Sequence, residues 1–142
     1  VKSLFAQVVQ LDRLVAIVAD QHIATAGVDL KVVHVIILAA LYERNGRRAK
    51  DLAAAIGFPA TSFTPSLDSA ESDGLVERRA DKLDRRAVNI YLTPKAEAMR
   101  DQVLAAYSAM EHGIRIQIDD FVSRLPEMTD HELAIALARV LA

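Results

Sequence analysis

No cysteine occurs in the 142 residues, which excludes disulfides, thiolate metal centres and a peroxide-sensing thiol within this chain. The same absence fits a reducing compartment. A long hydrophobic run is also missing. The longest, Val32 to Leu41, is interrupted by His34 and falls well short of the roughly 20 residues that a bilayer-crossing helix needs. Val1 to Gln21 carries no small-residue cleavage signature of a secretory leader, so a cytoplasmic location and no membrane partner are expected. Positive charge is not in excess, with 17 Lys and Arg against 19 Asp and Glu for a net charge of -2. Any phosphate affinity must therefore come from local clusters of cations. There is no glycine-rich phosphate loop and no nucleophile–base pair, and Asp119 and Asp120 would point in different directions on a helix. An enzyme is not expected, nor is a cofactor.

What is present is material for a core. Hydrophobic residues make up 52% and charged residues 25%, in the range of one compact folded domain. Leu4, Val8, Leu11, Val15 and Val18 recur at steps of four and three, which predicts a helix from Leu4 to Ile23. Phe5, Leu14 and Ile17 widen its stripe, so this helix should be buried on two sides. Ala26-Gly27 ends it, Asp29 is the expected N-cap of a second helix through Val32 to Glu43, and Arg44-Asn45-Gly46 is a turn. Arg47-Arg48 leads into a short helix, Ala49 to Ile56, stopped by Gly57. Another helix follows and ends at Gly74. Leu75 to Arg79 and Ala87 to Leu92 read as two strands around a charged loop. Thr93-Pro94 is a helix start, and the stripe Met99, Val103, Ala106, Met110, Ile114, Phe121 and Leu125 carries one long helix past Gly113 to Leu125-Pro126. Thr129-Asp130-His131-Glu132 is a capping box for a last helix to Leu141.

The expected fold is mainly α with a small β-hairpin wing. It is a winged helix-turn-helix over residues 29–93, with dimerisation helices contributed by residues 1–28 and 94–142. Leu52, Ala53, Ile56, Gly57, Phe58 and Phe63 fall where a helix-turn-helix needs apolar, small, apolar, glycine, apolar and apolar residues. Between Arg78 and Arg86 stand five cations (Arg78, Arg79, Lys82, Arg85 and Arg86) against Asp81 and Asp84, and a projecting basic tip suits a narrow minor groove. Arg44, Arg47, Arg48 and Lys50 form a second cluster, so phosphates would be held from two sides.

The segment GLVERRADKLDRRAVNIYLTPKAEA resembles the wing and following helix start of the multiple-antibiotic-resistance regulator (MarR) family. That resemblance is specific from about Leu52 to Ala98. It implies that Arg86 is the minor-groove arginine, that Asp84 orients the wing tip, and that Arg85 meets phosphate or flanks the groove. It further implies a homodimer on a pseudo-palindromic operator in double-stranded DNA, and a cleft for a small-molecule effector between the dimer half and the DNA half. The expected DNA contacts are Arg47, Arg48, Thr61, Ser62, Thr64, Ser66, Arg79, Lys82, Arg85 and Arg86. The function expected is a sequence-specific transcription regulator, a ligand-responsive repressor.

Two features depart from the family pattern. Pro59 to Asp73 contains three acids and no cation, which leaves Thr61, Ser62, Thr64 and Ser66 as reading groups. Asp68, Glu71 and Asp73 should face away from DNA or pair with basic neighbours. Pro65 either kinks the helix or is its first residue behind a Thr64 cap. The acidity supports an alternative, a winged-helix dimer serving as a protein-interaction or ligand-binding module with weak or no DNA binding. The four histidines, His22, His34, His112 and His131, lie on separate predicted helices without a His-x-x-x-His pair, so no metal site is expected. His34 reads as a hydrogen-bonded core residue. Tyr42, Tyr91 and Tyr107, with Phe5 and Met110, either line the effector pocket or pack in the core.

Overall fold

The computed structural model describes residues 3–125 and 130–142. Helix α1 (Leu4–Thr25) begins at Ser3, whose hydroxyl accepts from the Ala6 N–H at 3.2 Å. Helix α2 (Val32–Glu43) follows, then strand β1 (Arg47–Arg48), α3 (Ala49–Ile56) and α4 (Ala60–Ser72). Strands β2 (Val76–Ala80) and β3 (Val88–Leu92) form the wing, and α5 (Pro94–Ala98), α6 (Arg100–Arg124) and α7 (Asp130–Leu141) complete the chain. The order is that of a winged helix-turn-helix framed by helices from both ends. No helix among the described residues is long and apolar enough to cross a membrane.

One core joins the framing helices to the winged unit. Ile37, Leu38 and Leu41 of α2, Leu52 of α3, Ile90 of β3 and Val103 of α6 are all fully buried. Along α1 the face bearing Val8, Leu11 and Val18 is buried, whereas Phe5, Leu14 and Ile17 stay 62%, 41% and 52% exposed. The second side expected to be buried is therefore uncovered within one protomer.

Several local expectations are corrected. Lys31, not Asp29, occupies the N-cap of α2, with no side-chain bond. Leu30 lies in a bend and packs against the core instead of entering a helix, and Lys31 after it is extended. The sheet has three strands, in the order β1-β3-β2. Arg47 and Arg48 pair with Ile90 and Asn89, and two residues are too few to show a strand period. The long C-terminal helix is broken at Met99. The Tyr42 hydroxyl donates to the Ala96 carbonyl at 2.5 Å and so takes the acceptor that a regular helix offers to the N–H of Arg100. Pro65 lies inside α4, whose N-cap is Pro59. A Thr64 cap is thus excluded, and the Thr61 carbonyl loses its intrahelical donor. Thr129 of the expected capping box lies outside the described residues.

His34 is also not as expected. It is 1% exposed, yet among the described residues neither ring nitrogen finds a hydrogen-bond partner, and Nδ1 stops 3.5 Å from the Asp73 carboxylate. Burial lowers its pKa from the ordinary 6.5; Asp73 opposes the shift and Lys31 reinforces it. The unfolded chain therefore takes up the proton first as pH falls. Stability conferred by a neutral His34 is fully present above 6.5 and declines as pH drops from there toward the lowered native value. Denaturant melts of the parent and His34→Leu at about pH 7.5 and 5.5 should show the variant gaining on the parent at the lower pH. A stability difference that is the same at both pH values would show that His34 does not titrate differently on folding.

Candidate nucleic-acid interface

The helix-turn-helix is built from α3 and α4. Gly57 adopts φ 76°, a left-handed conformation that a side chain would oppose. The Phe58 N–H reaches back to the Ala53 carbonyl at 3.0 Å, closing the end of α3. Leu52, Ala53 and Phe63 are all buried in the shared core. The spacing read from sequence thus gives the expected turn. Thr61, Ser62 and Thr64 are exposed on α4 and Ser66 is half-buried; the Ser62 hydroxyl is turned to the Pro59 carbonyl at 3.1 Å.

The acids of α4 have a structural use. Asp68 and Glu71 both hold the Arg78 guanidinium, at 2.6 and 3.2 Å, and Glu71 also accepts from the Arg78 N–H at 3.1 Å. This clamp fastens the second helix of the motif to strand β2. It also neutralises much of the acidity that supported a protein-interaction module.

The wing tip is built around an aspartate that sequence reasoning passed over. Asp81 Oδ1 accepts from the N–H groups of Leu83 and Asp84 at 2.8 and 3.1 Å, and its Oδ2 accepts from Asn89 at 3.0 Å. These bonds hold its carboxyl below the usual range, with the Leu83 N–H as the largest cause. Asp84 in turn accepts from the Arg86 N–H at 3.0 Å. The signal was available as two Asp-led turns in series, Asp81-Lys82-Leu83 and Asp84-Arg85-Arg86, since aspartate commonly caps the N–H two residues on.

The cations divide into two groups. Lys82, Arg85 and Arg86 are exposed, and among the described residues their side chains have no hydrogen-bond or ion-pair partner. Arg48, 3.8 Å from Asp81 and 3.9 Å from Asp84, joins Lys50, Asp84 and Arg86 around a recess of about 330 Å³ between the start of α3 and the wing. The structure thus brings the wing and the start of the helix-turn-helix together. Arg79 and Arg47 lie apart. Arg79 is ion-paired with Glu77 and lies 4.3 Å over the Tyr91 ring. Arg47 is 13% exposed in its side chain and turned toward Glu43 at 3.8 Å.

Arg47 instead helps to line a cleft of about 640 Å³ between α2, α3 and α6, with Ile36, Tyr42, Ile56, Arg100 and Tyr107 among its walls. That volume is typical of small-molecule sites. Burial pushes the Tyr42 phenol up to about 12, with Glu97 adding to the shift and Arg100 opposing it. Burial also raises Tyr107, followed by Glu111 and Glu43. Of the five residues weighed for a pocket, Tyr42 and Tyr107 line this cleft, and Tyr91, Phe5 and Met110 do not. Among the described residues no three His, Asp or Glu side chains gather as a metal site would need.

Comparison with known proteins places this geometry in a family context. The sequence model of the MarR family matches residues 28–87. The HTH-type transcriptional regulator TtmR of Methylorubrum extorquens (strain PA1) is 29% identical over 68 residues, 48% of this chain and 35% of that protein. The matched stretch thus spans about a third of that relative's length. A MepR-like protein complexed with pseudoligands is 30% identical with a TM-score of 0.51, over 79% of this chain and 74% of that one. The transcriptional repressor CouR, bound to a 23-mer DNA duplex, superposes with a TM-score of 0.62 at 22% identity, over 98% of this chain and 89% of that one. The likeness to CouR establishes the fold.

Proposed function

The chain belongs to the MarR family, and from that premise we propose that it is a cytoplasmic, sequence-specific DNA-binding transcription regulator, not an enzyme, that acts as a homodimer. The observation that carries this reading is the wing tip, where three exposed cations, unpaired among the described residues, stand on a turn fixed by Asp81 and Asp84. The relatives described as bound to DNA have the same fold. Residues 29–93 form the DNA-binding region, and residues 1–28 with 94–142 the dimerisation region. Phe5, Ile17, Ile116 and Ile135, all more than half exposed, supply apolar surface on α1, α6 and α7 for a second copy to cover. Two winged units on a two-fold axis address half-sites of a pseudo-palindromic operator about one helical turn apart.

In this arrangement Arg86 enters the minor groove and Lys82, Arg85 and Arg48 meet phosphates. Thr61, Ser62, Thr64 and Ser66 face base edges or phosphates from α4. Arg79 and Arg47 contribute only if their present partners release them. The cleft between α2, α3 and α6 takes a small effector with an apolar body and polar edges. An occupant there bears on α3 through Ala55 and Ile56, so a ligand favouring a different α3–α6 separation shifts the spacing of the two motifs. Repression relieved by such a ligand is the regulation this geometry supports.

Selection of fragments from genomic DNA by the full chain at physiological salt should yield a pseudo-palindromic sequence. Its binding constant should fall steeply as salt rises. Recovery of random fragments alone, or none, would overturn the regulator.

A further inference from the structure

Leu83 is 98% exposed, more than any other large hydrophobic side chain among the described residues. It stands at the apex of the wing on a built turn. Its own N–H is held by Asp81, as is that of Asp84, while Asn89 holds the other oxygen of the same carboxylate. The hairpin closes beneath through the Asp81 N–H to the Ala87 carbonyl at 3.0 Å. Turn tips ordinarily carry polar residues, and a leucine left wholly in water forgoes the gain of burial.

Its neighbours specify what covers it. Lys82, Arg85 and Arg86 are exposed around it and, among the described residues, unpaired, so the complementary surface is polyanionic at its rims and apolar between them. The minor groove of duplex DNA has that profile, with phosphates along both edges and deoxyribose C–H groups as walls. We propose that Leu83 enters the minor groove beside Arg86 and packs against the sugar walls, favouring A·T pairs, whose floor lacks the guanine amino group. This inference rests on the DNA-binding reading above and adds to it an apolar, shape-reading contact.

The test uses the full chain and the operator recovered by selection. Leu83→Ala should weaken binding by about fivefold to tenfold with the salt dependence unchanged, since no cation is lost. Changing the A·T pairs beneath the wing to G·C should weaken the parent and have little effect on the variant. Leu83→Met should restore both affinity and preference, and the melting temperature of all three proteins should agree. Parental affinity and base preference in Leu83→Ala would overturn the proposal. So would a loss that Leu83→Met fails to rescue, which would mark a role in shaping the turn, or a loss confined to binding of anionic vesicles or of a protein. A parent that binds no duplex at all would instead overturn the DNA-binding reading itself.

Discussion

Arg86→Ala is expected to weaken operator binding by about tenfold or more, because among the described residues the arginine side chain has no partner to compete with DNA. Its backbone is fixed by the bond from its N–H to Asp84, so the side chain projects from a prepared position and little ordering remains to be done on binding. In the proposed homodimer two equivalent arginines meet DNA, and each cation lost removes about 0.9 from the slope of log K against log salt. The slope should therefore be shallower by about two. Fold stability should not change, since the side chain is exposed. Titrations at several salt concentrations read both quantities together. Equal affinity and equal slope in the variant and the parent would remove Arg86 from the interface.

Arg86 was singled out through the resemblance of its segment to the MarR wing, with the density of cations around it as the sequence's own signal, whereas the Asp-led turns that fix its backbone were passed over. The helix-turn-helix was legible in the residues themselves: Leu52, Ala53, Gly57 and Phe63 each answer a steric need that only a few residue types meet. What escaped was set by contacts between distant segments. Strand β1 exists because Asn45 Oδ1 accepts from the Leu92 N–H at 2.9 Å while the Gly46 N–H donates to the Ile90 carbonyl at 3.0 Å. No local pattern announces a pairing across more than 40 residues of chain. The break at Met99 depends in the same way on Tyr42, from another helix. The acids of α4 were expected to face away from DNA or pair with basic neighbours, and Asp68 and Glu71 do pair, but which cation they take, Arg78 of the wing, is set by the fold and not by any local pattern. His34 was placed correctly in the core, but its want of a hydrogen bond depends on where Asp73 stops.

The largest effect on stability is expected at the crossing of α1 and α6. Gly113 is buried within α6, and a Cβ there would lie 2.5 Å from Cε1, 2.7 Å from Nε2 and 3.0 Å from Nδ1 of His22. The ring cannot simply swing away without loss, since its Nδ1 donates to the Val18 carbonyl at 2.8 Å. Alanine at 113 therefore sets a helix-propensity gain of about 1 kcal/mol against displacement of the ring, and the two nearly cancel. Valine adds two methyl groups to the same space and loses χ1 freedom in the helix. Gly113→Val should cost about 2–3 kcal/mol and lower the melting midpoint by about 8–10 °C. Adding His22→Ala should recover more than half of that loss, a coupling of the size seen between residues in direct contact. If His22→Ala instead adds its own loss to that of Gly113→Val, the ring is not what excludes a side chain at 113. The crossing also sets where α6, and with it the cleft between α2, α3 and α6, lies relative to α1. A double variant that regains stability with the helices further apart should thus bind the operator less tightly than the parent, linking a glycine far from the wing to the spacing of the two motifs on DNA.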